Sequence, residues 1–221
     1  DAVELAKRYV QEGADELVFL DITATVEKRK TLTELVQRIA KEINIPFTVG
    51  GGINSVEDAR AIINAGADKV SINTAAVNHP KIISEIAAEF GSQCVVLAID
   101  TNLDNDEWMV YIHGGRTPTP LRAIDWAREG ERLGAGEILL TSMNNDGTKN
   151  GFALDITAAV ADAVNIPVIA SGGAGSKQHF SDVFQQTKVS AALAASIFHF
   201  GEIPIPELKR FLNEKDIPVR N

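Results

Sequence analysis

Asp100 closes the apolar run Val95–Val96–Leu97–Ala98–Ile99. A carboxyl group emerging at the end of such a run is partly desolvated, which raises its pKa and suits it to general acid–base catalysis. An isolated aspartate at a strand end also caps helices, so the surrounding pattern has to decide. Two glycine runs supply that pattern: Pro46–Phe47–Thr48–Val49–Gly50–Gly51–Gly52–Ile53 and Pro167–Val168–Ile169–Ala170–Ser171–Gly172–Gly173–Ala174. Adjacent glycines let backbone N–H groups approach an anion closely where a side chain would obstruct it. Gly51 and Gly52 in one run, and Gly172 and Gly173 in the other, are candidate phosphate donors, although a single pair is equally consistent with a plain tight turn. Each pair is followed one unit later by a small polar strand end, Asn73–Thr74 and Ala195–Ser196, whose donors complete a ring around phosphate oxygens. Two such cradles fit a substrate with a phosphate at each end. Asp21, Thr141 and Ser171 end further strands and are expected to contact that substrate, while Asp146 in Asn144–Asn145–Asp146–Gly147–Thr148 reads as turn or cap chemistry. At the opposite strand ends stand Glu16, Lys69 and Glu137. They could meet as a polar plug or a gate, or be ordinary surface charges.

These groups need a frame, and the chain repeats one. Seven short runs rich in Val, Ile and Leu read as strands: 16–21, 46–49, 69–73, 94–100, 137–141, 167–171 and 191–195. Helical patterns fill the gaps at 32–43, 81–90, 121–133, 156–164, 178–186 and 205–212, Ser55 looks like a helix cap, and residues 1–6 enter on an amphipathic helix. Alternation of this kind is the signature of βα units around a parallel sheet. Inside the longer connection from Thr101 to Pro120, Trp108–Ile112 is expected to form an extra strand in a rim hairpin before Gly114–Gly115.

Gly13–Leu20 resembles Gly134–Thr141, and Gly51 precedes Gly172, at the same interval of 121 positions. The economical reading is an α/β fold, a TIM (βα)8 barrel built from two half-barrel repeats. By that register the strand ending at Asp100 has a counterpart before residue 1. The chain is therefore expected to be a single, N-terminally incomplete barrel domain over 1–221, lacking the first strand and its following loop.

The bulk numbers set limits on partners. A net charge of −9 opposes binding to nucleic acid. No apolar run reaches the roughly 18 residues of a spanning helix, so no membrane association is expected. Cys94 is the only cysteine, which excludes an intrachain disulfide and a Cys-rich metal site and fits the cytoplasm. No metal and no cofactor are expected.

The motifs taken together resemble the cyclase subunit of imidazole glycerol phosphate synthase, of histidine biosynthesis. The likeness runs through 15–24, 48–53, 69–76, 139–142 with 146–148, 170–175 and 194–196. It implies a barrel that takes a bisphosphorylated ribulosyl aminoimidazole substrate and ammonia, closes the imidazole ring and releases an aminoimidazole carboxamide ribotide. It implies a glutaminase partner docked on the barrel floor, with Glu16, Lys69 and Glu137 as part of an ammonia gate and Gln93 near that interface. A fourth gate member, an arginine, would lie on the absent strand. It implies two acid–base aspartates, of which Asp100 matches one and the other would precede residue 1. Two alternatives stay open at this stage: the related sugar-phosphate isomerase of the same pathway, and a barrel scaffold that binds without turnover.

Overall fold

The computed structural model describes residues 1–20 and 26–220; Asp21 lies outside the described residues. Its elements alternate as the apolar spacing requires. Helix α1 (Ala2–Gln11) starts at Asp1, whose side chain accepts from the Val3 N–H, and buries Val3 and Ala6. Then follow β1 (Leu17–Leu20), α2 (Val26–Glu42), β2 (Phe47–Gly50), α3 (Val56–Asn64), β3 (Lys69–Ile72), the short α4 (Thr74–Asn78) and α5 (Lys81–Phe90). The second part carries β4 (Val95–Asp104), β5 (Glu107–Ile112), β6 (Thr117–Arg122), α6 (Ala123–Leu133), β7 (Glu137–Ser142), α7 (Leu154–Ala163), β8 (Val168–Ser171), α8 (Lys177–Gln186), β9 (Ala191–Leu193), the short α9 (Ser196–His199) and α10 (Ile205–Asn213).

Seven strands form one parallel sheet in the order β1-β2-β3-β4-β7-β8-β9. All four residues of β2 are buried, and β4 and β7 bury Leu97, Ile99, Ile138 and Leu140 almost completely. That burial on both faces explains why these strands read as continuous apolar runs rather than alternating ones. Helices shield the outer face, and the sheet curls into a TIM-barrel arrangement. Ion pairs across its inner floor, and contacts of α1 with α9 and of the segment before β1 with α10, record the curl. Arg8 donates to the carbonyl of His199 at 3.2 Å, the Tyr9 hydroxyl meets His199 Nδ1 at 3.2 Å, and Lys209 Nζ meets Asp15 Oδ1 at 2.8 Å. Among the described residues, β1 and β9 are the free edges of the sheet. They are also its less buried strands.

The rim hairpin is larger than the single extra strand expected. Beyond Asp100, β4 continues to Asp104 and pairs antiparallel with β5, which pairs with β6. Asn105 (φ 48°) and Asp106 (φ 64°) make the two-residue turn between Asp104 and Glu107. Two positive φ values in a two-residue loop match the twist of the flanking strands. The β4 extension and β6 are mostly polar, so they lack the apolar signal that marks the barrel strands. The sequence also gave no signal for α4 and α9, each about one turn long.

The repeat is visible in the backbone itself. Gly51 and Gly172 have φ of 94° and 90°, and both following glycines are also left-handed. Ser55 caps α3 at φ −147°, ψ 166°, and Ser176 caps α8 at φ −147°, ψ 161°. Ser55→Ala is expected to lower stability by about 1 kcal/mol. Ser176→Ala should lower it by less, since its bond to the His179 N–H is 3.4 Å against 3.1 Å for Ser55 and Asp58. Urea unfolding of the two variants checks both the size and the order.

Candidate active site

The ladder register sets the level of the candidate groups. Asp100 pairs with Thr141, and Thr141 with Ser171, so three strand ends stand side by side at the carboxyl end of the sheet. Asp100 is half-buried, and its Oδ2 accepts from Asn73 Nδ2 at 3.0 Å. Asn73 Nδ2 also reaches the Tyr111 carbonyl at 3.4 Å, while among the described residues its buried Oδ1 meets no hydrogen-bond partner. Burial pushes the Asp100 carboxyl up to about 6; the bond from Asn73 opposes that rise, and the charge of Asp146 adds to it. A carboxyl group in this range exchanges protons readily near neutral pH.

Glycine turns lie on both sides of Asp100. The first follows β2, where Gly51 and Gly52 turn the chain in left-handed conformations and the Gly52 carbonyl accepts from Asn54. Its neighbour β3 leads directly to Asn73 and Thr74. The second follows β8, and its neighbour β9 leads to Ala195 and Ser196, both exposed. The two turns are separated in the sheet by β4 and β7. In the second turn the absence of side chains is a steric necessity. A Cβ on Gly173 would lie 2.0 Å from the Gly151 carbonyl oxygen, and one on Gly172 would lie 2.7 Å from that of Ser142.

The loop after β7 builds one wall of this second turn. Asn145 accepts from Ser142 Oγ at 2.9 Å and donates to the Gly151 carbonyl at 2.8 Å, and the Gly151 N–H donates to Gly173. His179 accepts at Nδ1 from the Gly175 N–H at 3.1 Å. Sequence reading passed over Asn145, His179 and Tyr111. Their roles depend on loop folding or on a backbone carbonyl, which residue type does not reveal. Asp146 is the turn residue its loop suggests, its N–H closing a turn on the Ser142 carbonyl, yet its charge is also felt at Asp100.

At the opposite end of the sheet, Lys69 Nζ lies 3.0 Å from Glu16 Oε2 and 2.5 Å from Glu137 Oε1. Glu16 precedes β1, Lys69 opens β3 and Glu137 opens β7, alternate strands that contribute to one interior layer. Burial alone would lower the Lys69 pKa, but the hydrogen bonds it donates to Glu137 and Glu16 outweigh that and hold the ammonium above its ordinary range. Among the described residues, Glu137 Oε2 is buried and meets no hydrogen-bond donor. Gln93 does not join this triad; it is exposed on the turn before β4, at the same end, and bonds to the Phe90 carbonyl. Among the described residues no group of His, Cys, Asp and Glu could hold a metal ion, and no helix is long and apolar enough to cross a membrane.

A curled parallel sheet with helices outside and glycine turns at its carboxyl end defines the TIM-barrel class, whose chemistry sits at that end. The histidine biosynthesis protein family matches residues 1–204. Over 220 residues the chain is 61% identical to the imidazole glycerol phosphate synthase subunit HisF of Pyrococcus furiosus and 60% identical to that of Cytophaga hutchinsonii, covering all of this chain and 87% and 88% of those proteins. The same subunit of Geobacillus thermodenitrificans is 57% identical over 222 residues. The chain belongs to the family of imidazole glycerol phosphate synthase cyclase subunits, enzymes of histidine biosynthesis.

Two outcomes test the electrostatics. Lys69→Met should destabilise the fold by about 1–2 kcal/mol, because it leaves the partly buried Glu137 carboxylate without its cation, whereas Lys69→Arg should retain most of the stability. For Asp100, the unfolded carboxyl titrates at about 3.9 and the folded one at about 6. Between those values the folded state binds more protons, so its stability falls as pH rises through the window and stays reduced above it. Asp100→Asn should therefore exceed the parent in stability by about 1–2 kcal/mol above pH 6, with the gain fading towards pH 4. Urea titrations at several pH values measure it.

Proposed function

We propose that this chain binds a bisphosphorylated ribulosyl aminoimidazole carboxamide across its two glycine turns and closes the imidazole ring with ammonia. The products are imidazole glycerol phosphate and aminoimidazole carboxamide ribotide, a lyase-type reaction. The observation that carries this reading is Asp100, a carboxyl group poised near neutrality at a strand end between the two turns. Gly51, Gly52, Asn73 and Thr74 hold one phosphate, and Gly172, Gly173, Ala195 and Ser196 the other. Backbone amides and small polar groups do this without crowding the anion. Thr141 and Ser171, level with Asp100, contact the middle of the substrate, and Asp21 adds a further contact.

Asp100 serves as one of the acid–base groups. Ionised above about pH 6, it takes a proton from the reacting nitrogen or carbon and returns it to the leaving group. Asn73 fixes the carboxylate's orientation by its bond to Oδ2. Ammonia enters at the floor past Glu16, Lys69 and Glu137, delivered by a glutaminase subunit docked there with Gln93 at its border. Charge at the floor favours this reading over a sugar-phosphate isomerase of similar build, which has no ammonia to admit.

Purified protein supplied with ammonium salts and the ribulosyl substrate tests the proposal. Ammonia-dependent consumption is expected, and substrate isomerisation or simple binding without turnover would overturn it. Asp100→Asn should reduce turnover by at least about 100-fold while keeping bisphosphate affinity within about tenfold. With free ammonia held constant, the parent's rate should fall as pH drops below about 6.

A further inference from the structure

We propose that Arg116, at the tip of the β5–β6 hairpin, is the cation that neutralises the phosphate in the first cradle, making the two phosphate sites electrostatically unequal. The inference rests on reading Gly51, Gly52, Asn73 and Thr74 as that cradle. The hairpin tip is fastened to it: the His113 N–H donates to Thr74 Oγ1 at 3.0 Å, and the Tyr111 carbonyl accepts from Asn73. Because Thr74 Oγ1 accepts from His113, its own proton remains available for an anion.

His113 holds a left-handed φ of 56°, uncommon for a residue with a side chain. Three bonds keep it there. Its amide is on Thr74, its ring Nδ1 meets Thr117 Oγ1 at 3.1 Å, and its carbonyl accepts from Arg116 Nε at 2.7 Å. Backbone held in a sparse region by several contacts tends to mark a working position. The fixed object here is the arginine. Nε is used on the hairpin itself, and the guanidinium's outer N–H groups, the fork that binds phosphate in a bidentate manner, meet no carboxylate among the described residues.

Among the described residues, Arg122, Lys149 and Lys177, further cations that follow the strands, are already paired. Arg122 is 2.7 Å from Glu107, Lys177 lies on Glu207, and Lys149 meets both oxygens of Glu202 at 2.6 and 2.7 Å. Lys149 borders the second cradle, since a Cβ on Gly175 would lie 2.5 Å from its Cβ. So the second cradle has a cation that Glu202 neutralises, while the first has one left uncompensated. In a protein of net charge −9, that difference favours one orientation of a substrate with similar ends.

The test uses inorganic phosphate as probe, followed by phosphorus NMR, in a Gly173→Ala background where the second cradle is blocked. Arg116→Gln should weaken phosphate binding about tenfold or more, and Arg116→Lys should recover part of the loss. In the unaltered background Arg116→Gln should raise KM for the ribulosyl substrate by a similar factor with kcat within about twofold; this arm stands if Gly173→Ala fails to fold. Unchanged phosphate affinity and KM in Arg116→Gln overturn the inference and leave the cradles standing. Failure of the parent protein to bind phosphate at all overturns the cradle reading instead.

Discussion

The alignment of Asp100, Thr141 and Ser171 is a property of hydrogen-bonded register, and the site depends on it before any side chain is considered. A slip of one residue between β4 and β7 would turn Asp100 to the other face of the sheet. The register is held by strands that are buried on both faces, so the packing of Leu97, Ile99, Ile138 and Leu140 fixes the position of the polar groups that follow them. At the opposite end, Lys69 bridges Glu16 and Glu137 and gives the same curl an electrostatic cross-brace. One sheet thus has an apolar middle that sets geometry and two charged ends that do different work.

How much of this was legible in the sequence follows from where each feature's information resides. All seven parallel strands were readable because each is a short apolar run that must be buried, and their ends are placed within a few residues. The internal repeat was readable because consecutive residues at strongly positive φ favour glycine, as at Gly51, Gly52, Gly172 and Gly173. The charges at the floor were visible at the starts of alternate strands but equally consistent with a plug, a gate or ordinary surface charge, and it is the curl that brings them together. What escaped was mostly structure made by polar residues. The β4 extension and β6 are held by pairing with β5, and α4 and α9 are too short for periodicity to show.

The candidate site divides along the same line. Asp100 stood out because it ends an apolar strand. Its bond from Asn73 did not, since that contact joins β3 to the end of β4 and depends on how the sheet bends. Asn145 and His179 support the second turn through backbone carbonyls and amides, for which residue type offers no signature. The comparisons add the family, and the geometry adds which groups within the chain touch one another.

The halves of the barrel carry almost the same backbone but not the same chemistry. Asn73, the residue before α4, sits at φ −125°, ψ −83°, and Ala195, the residue before α9 and one position beyond the 121-residue interval, sits at φ −117°, ψ −71°. The first position holds an amide that grips Asp100; the second holds a methyl group that grips nothing polar. A duplicated frame with this property can change what it catalyses by exchanging single side chains at fixed coordinates, without having to find a new fold. Its symmetry lies in the scaffold, and its chemical polarity lies in the few places where the copies disagree.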